Sequence, residues 1–230
     1  MKKAVLVIHG FAGGCYDEEN VATYLELKGY HVFQFTLPGH DKRMFQHVKK
    51  EDWIKSCEEH IEQLINNGYK RIYLIGHSMG GVLACHLASK YKEVKKMVLA
   101  APAFKYMTFG GDEFKLFHAL RNTPKLFKDY GKDVLLPRAI MFPVSVVKEF
   151  MALADESQDL PSKVTCPILL FHGTKDDVVP IESSKYVYNM ALNNEKELVV
   201  LENVTHDIFK SDQIDYINKK IFEFFGTFIW

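Results

Sequence analysis

The chain has 230 residues, 47% of them apolar, and its 29 acidic and 29 basic side chains leave a formal net charge of zero. That length suits one domain with room for an insertion, and the apolar fraction supplies a core and argues against disorder. Balanced charge without a long basic run argues against nucleic acid or an anionic membrane surface as the main partner.

In chain order, Met1-Lys2-Lys3 leads into the apolar run Ala4–Ile8. The run is too short for a secretory h-region and no small-residue cleavage site follows, so it reads as a first core strand. Asp17–Lys28 reads as a helix stopped by Gly29, and Val32–Thr36 as a second strand. Across Glu51–Asn67, Trp53, Ile54, Cys57, Ile61, Leu64 and Ile65 recur at helical spacing before Asn67-Gly68. Arg71–Ile75 is a third strand, followed by a helix from Gly81, and Lys96–Ala100 is a fourth. Between Ala100 and Pro167 no convincing strand occurs; Phe114–Leu120, Pro124–Tyr130 and Val144–Ala154 have helical patterns instead. A structureless loop of that length is implausible, so residues 102–161 are expected to form an inserted helical cap on a core of residues 1–101 and 162–230. Pro167–Phe171 is a fifth strand, Glu182–Leu192 a helix, Glu197–Leu201 a sixth strand and Asp212–Phe225 a last helix. Strands apolar on both faces and separated by helices predict an α/β fold with a covered parallel sheet. Its right-handed crossovers gather the loops after the strands on one edge, where ligands bind.

The sharpest motif is Gly76-His77-Ser78-Met79-Gly80 between the third strand and its helix. Strand, G-x-S-x-G, helix is the context of a nucleophile elbow, in which glycines two before and two after the serine avoid collision within the turn. A serine hydroxyl needs an adjacent base held by a third group. Of ten histidines, His206 lies after the sixth strand, where a Ser…Asp…His chain order places the base. His86 lies along the helix, His77 is expected on the far side of the turn, and His9 and His172 end strands and could line the pocket floor. The loop after the fifth strand offers Asp176 and Asp177; Asp176 is preferred as the group that fixes the imidazole tautomer, and Asp177 reads as a solvated or turn-capping carboxylate. The backbone N–H groups of Met79 and of Phe11, in the small-residue loop His9-Gly10-Phe11-Ala12-Gly13-Gly14, are the expected oxyanion donors. G-x-G-x-x-G is absent, as are a phosphate loop and a metal cluster, so no cofactor is expected.

His9-Gly10-Phe11, Gly76–Gly80, Gly173-Thr174-Lys175-Asp176 and His206, in that order, resemble the α/β-hydrolase superfamily over nearly the whole chain. Leu37-Pro38-Gly39-His40, Asp52-Trp53, the compact insertion and the Phe224–Trp230 ending are similar to small bacterial carboxylesterases and monoacylglycerol lipases. Asp41 departs from the glycine usual after that histidine. The resemblance implies strand order 2-1-3-4-5-6 and a cofactor-free serine esterase that takes a small ester substrate. Charge balance and the lack of any apolar run of about eighteen residues lead to the expectation of no nucleic-acid partner and no integral membrane association. Phe104, Phe114, Phe117, Met141, Phe142 and Met151 suggest a hydrophobic acyl or alcohol site, or else the contact between cap and sheet.

Thioester, amide or C–C bond hydrolysis would use the same residues, and a silent ligand receptor would keep the fold without the chemistry. Epoxide hydrolase or dehalogenase chemistry would want an aspartate at position 78. The four cysteines, Cys15, Cys57, Cys85 and Cys166, lack metal or redox spacing and are expected as reduced thiols in a cytoplasmic protein.

Overall fold

A computed structural model describes residues 3–40, 48–105 and 144–226. The predicted helices at 114–120 and 124–130, Asp41, and the side chains of Phe114, Phe117, Met141 and Phe142 lie outside the described residues.

Six strands form one sheet in the order β2-β1-β3-β4-β5-β6, and every pairing is parallel. They are β1 (Lys3–Ile8), β2 (His31–Gln34), β3 (Arg71–His77), β4 (Val94–Ala100), β5 (Ile168–Gly173) and β6 (Lys196–Leu201). The helices are α1 (Glu19–Leu27), α2 (Lys50–Asn66), α3 (Met79–Lys90), α4 (Val144–Glu156), α5 (Ile181–Met190) and α6 (Ile214–Phe225). Sequence and structure differ by a few residues at element ends. β3 runs on through Gly76-His77, because pairing with Leu99 and Ala100 of β4 carries it to the foot of the turn.

Side-chain alternation divides the core between the two faces of the sheet. Leu6, Ile8, Leu74, Leu99 and Leu170 point to one face and meet Trp53, Cys57 and Ile61 of α2, Val82 and Leu83 of α3, and Val187 of α5. Val5, Val7, Ile75, Val98 and Phe171 point to the other and meet Val21 and Leu25 of α1 and Ile217, Ile221 and Phe225 of α6. The central strands are therefore apolar on both faces. β2 and β6, at the sheet edges, carry exposed or half-buried residues instead, apart from the buried Leu201 that ends β6.

Helix α4 falls inside the expected cap, yet its Val146, Phe150 and Leu153 are buried in the same cluster as α2, α3 and the sheet. Phe104 is likewise buried there, and its carbonyl accepts a hydrogen bond from Gln158 Nε2 at 2.7 Å. For these residues the apolar signal records packing in the core shared with α2 and α3.

The strands end nearly flush. Ile8 pairs with Gly76, His77 with Ala100, Ala100 with Phe171 and Gly173 with Leu201, so the following loops share one edge.

Candidate active site

Ser78 stands between β3 and α3 with φ 53° and ψ −117°, backbone angles that a side-chain-bearing residue adopts only under strain. Its N–H donates to the Ala100 carbonyl at 2.9 Å, and its carbonyl accepts from Gly81 N–H (2.9 Å) and Ala103 N–H (3.1 Å). The turn tolerates no side chain on either flank. A Cβ on Gly76 would lie 2.4 Å from the Gly80 carbonyl oxygen, and one on Gly80 would lie 2.1 Å from that of Ile8.

The loop after β1 closes against this turn. Gly13 N–H donates to the Gly10 carbonyl at 3.1 Å, and a Cβ on Gly10 would come within 3.1 Å of the Ser78 Cβ. That approach brings the backbone next to Phe11 beside the serine. Met79 begins α3, so its N–H belongs to the first-turn donors that a helix leaves unsatisfied. The Phe11 ring stacks on Phe150 of α4 at 5.1 Å and meets Trp53 and His40 edge-on. Burial, then the neighbouring His9, push the His40 pKa down to about 3, so this histidine is neutral packing beneath the loop and a poor base.

On the neighbouring strand ends, His206 Nδ1–H donates to Asp176 Oδ2 at 2.8 Å. Asp176 Oδ1 accepts the backbone N–H groups of Val178 (2.9 Å) and Val179 (2.8 Å). Only 1% of the Asp176 side chain is exposed, against 16% for His206. Burial raises the Asp176 pKa, but the His206 charge and hydrogen bond, with the two amides, outweigh it and hold the carboxyl below the usual carboxylate value. Asp177 is exposed, which leaves Asp176 as the partner of His206. Among the described residues, neither the Ser78 hydroxyl nor His206 Nε2 has a hydrogen-bond partner, which leaves both available to a ligand. Catalytic hydrogen bonds are often completed only when substrate binds.

The other histidines that the sequence singles out have partners among the described residues. His86 meets Glu58 at 2.9 Å. His9 Nε2 accepts the Leu37 N–H at 2.9 Å. His172 is fully buried, with Nε2–H donating to the Val179 carbonyl at 3.0 Å and Nδ1 2.8 Å from Ser184 Oγ; its place is behind Asp176. His77 departs from its expected place on the far side of the turn. Its Nε2 lies 3.0 Å from the His206 carbonyl oxygen, and its Nδ1 lies 3.1 Å from Glu18 Oε1. Glu18 carried no sequence signal beyond a helix start.

Among the described residues no group of His, Cys, Asp and Glu could hold a metal ion, and no helix is long and apolar enough to cross a membrane. Cys15, Cys57, Cys85 and Cys166 are free thiols.

Comparison with known proteins bears on the family and the fold. The family model Hydrolase_4, described as serine aminopeptidase S33, matches residues 1–213. A carboxylesterase of Bacillus subtilis is 25% identical over 238 residues, covering 99% of this chain and 94% of its own. A thermostable monoacylglycerol lipase of Bacillus sp. strain H-257 is 25% identical over 234 residues, covering 96% and 90%. Among solved structures, one described with the metagenome-derived lipolytic enzymes LipS and LipT superposes with a TM-score of 0.81 at 24% identity, covering 97% of this chain and 93% of its own. The monoacylglycerol lipase of Paleococcus ferrophilus follows at 0.74 and 20% identity, with coverages of 96% and 93%.

Proposed function

The chain belongs to the Hydrolase_4 family of α/β-hydrolases, and on that footing we propose that it is a serine carboxylesterase in which Ser78, His206 and Asp176 form the reacting set. Its substrates are short- to medium-chain acyl esters or monoacylglycerols, in line with the names of its relatives. The observation that carries the residue roles is the 2.8 Å pairing of His206 with the buried Asp176 carboxylate on the loops beside the strained Ser78 turn.

Ser78 Oγ attacks the ester carbonyl carbon while His206 Nε2 takes the hydroxyl proton. Asp176 keeps the proton on Nδ1, so that Nε2 is the basic nitrogen, and stabilises the imidazolium that forms. The negative charge moves to the carbonyl oxygen, where the Met79 and Phe11 N–H groups donate to it; one such donor contributes roughly 10²–10³ in rate. The tetrahedral intermediate then collapses. His206 gives its proton to the leaving alkoxide, and the alcohol departs from an acyl-serine. A water molecule, deprotonated by His206, repeats the sequence and releases the acid. Residues 102–161 act as a cap that shapes the acyl site, and the Phe11–Phe150 stack ties the return of that segment to the oxyanion loop.

A chain-length series of p-nitrophenyl esters, run beside monoacylglycerols, feruloyl esters and matched acyl thioesters, tests the reading. The Ser78→Ala variant should lose turnover and labelling by an organophosphonate. Full esterase activity in that variant would refute the nucleophile, and faster thioester than ester turnover would refute the substrate class.

A further inference from the structure

The approach to His206 is built from two sides. Asp176 holds the imidazole, while the start of α1 reaches the backbone of the same loop. Asn20 Nδ2–H donates to the Phe209 carbonyl at 3.2 Å, Lys210 Nζ meets Asp17 Oδ1 at 2.5 Å, and between them stands the Glu18–His77 pair. A carbonyl oxygen only accepts, so the 3.0 Å contact to the His206 carbonyl puts a proton on His77 Nε2. The 3.1 Å contact from Nδ1 to Glu18 Oε1 then needs a second proton between them. Imidazolium with carboxylate and imidazole with carboxylic acid both satisfy it, and both are neutral overall. Glu18 is fully buried, and its Oε2 has no hydrogen-bond partner among the described residues, so His77 is the anchor of its carboxyl. Burial raises the Glu18 pKa, and the Glu18 contact lifts His77 against the opposing pull of its own burial; both directions favour keeping the shared proton.

We propose that Glu18 and His77 are a positioning pair for catalysis: Glu18 fixes His77 with its Nε2–H outward, and that N–H sets the His206 backbone relative to the adjacent Ser78. The proposal rests on the assignment of Ser78 and His206 as nucleophile and base. Its logic is one of spacing. His77 is covalently next to the nucleophile and hydrogen-bonded to the base's own carbonyl, so a single side chain spans the two loops whose reacting atoms make no bond to each other. Without Glu18, a neutral His77 can move its proton to Nδ1 and turn an Nε2 lone pair toward the His206 carbonyl, which repels it. Buried ionisable pairs contribute little net stability, so a role in geometry accounts for this one better than a role in folding.

The test compares His77→Leu with His77→Gln, and Glu18→Leu with Glu18→Gln, in the full chain. Organophosphonate titration counts competent sites, so kcat is expressed per titrated site and loss of folding is removed from the comparison. The leucine variants should lower kcat per site by about tenfold or more, with KM little changed, as expected for misplacement of a reacting group. The rate of organophosphonate labelling should fall in parallel. Each glutamine variant can again supply an N–H in place and should recover most of the loss. Per-site kcat and labelling rate near wild type in the leucine variants, or glutamine variants no better than leucine, would overturn the proposal. If His77→Leu yields no folded protein, the Glu18 pair of variants decides. Labelling of wild type at a residue other than Ser78 would instead overturn the underlying assignment, whatever the leucine variants do.

Discussion

Replacing Asp176 by asparagine changes one atom and should cost this site most of its rate. The carboxylate accepts three hydrogen bonds, two on Oδ1 from Val178 and Val179 and one on Oδ2 from His206. An asparagine oxygen can keep the two backbone donors only if its NH₂ takes the Oδ2 position. That NH₂ donates to His206 Nδ1, which forces the ring proton to Nε2 and leaves no lone pair to accept the serine proton. Flipping the amide restores the tautomer but points the NH₂ at the N–H groups of Val178 and Val179. With about 1 kcal/mol net for each lost bond, the flip costs about 2 kcal/mol or more, and the useful orientation is held to a few per cent. Loss of the charge that stabilises the imidazolium adds to this, so kcat should fall by roughly 10³–10⁴. The assay is p-nitrophenyl ester hydrolysis with Asp177→Asn as the control, expected within about twofold of wild type because an exposed carboxylate interacts weakly. A fall of less than tenfold in Asp176→Asn, or an equal fall in Asp177→Asn, would refute the tautomer argument.

Stability at low pH should report the same carboxylate. Its folded pKa is depressed, so the stabilisation is complete above the unfolded value of about 3.9 and disappears as pH falls through the folded one. Urea melts of Asp176→Asn should therefore depend less steeply on pH across that acidic window than those of wild type. Gly173→Ala should act on the base from the other side: its Cβ would lie 2.1 Å from the Val204 carbonyl oxygen and 2.9 Å from that of Thr205. Overpacking of this kind costs about 1–3 kcal/mol, and the loop that must yield carries His206, so kcat per titrated site should fall beyond any fall in the folded fraction. Phe150→Ala removes a ring that is 4% exposed and stacked on Phe11. Its unfolding free energy should drop by about 3–5 kcal/mol, measured by denaturant melts, and turnover of the surviving folded protein should fall as the oxyanion loop loses its support.

The residues proposed to react were legible because each sits where local chemistry and topology agree. Gly76 and Gly80 are required by contacts of 2.4 and 2.1 Å that nothing larger survives, so the pattern around Ser78 is nearly a statement of its geometry. His206 followed from the order of strands. Asp176 was separated from Asp177 only by preference, and the structure supplies the reason in two amide donors and a buried carboxyl. The fold was legible in the two-sided apolar runs, since strands of a covered parallel sheet bury both faces. Glu18 was not, because a glutamate at a helix start reads as solvated and its partner lies 59 positions away. Nor could the sequence divide pocket from packing in α4. Val146, Phe150 and Leu153 have the composition of either, and only the position of α2 and α3 beside them decides.

The pairing of Ala100 with Phe171 has a consequence for how such a protein can change. It helps fasten β4, which the chain leaves at Ala100, to β5, which it rejoins at Ile168 opposite Met97, whatever the intervening chain does. For a segment closed in this way, each doubling of length adds only about 0.6 kcal/mol of closure entropy. The insertion can thus be lengthened, shortened or exchanged between descendants while the catalytic strand ends keep their alignment. With that segment shaping the acyl site as proposed, substrate preference can diverge on a fixed scaffold, and grafting a relative's segment between Ala100 and Ile168 is the corresponding route to a new specificity.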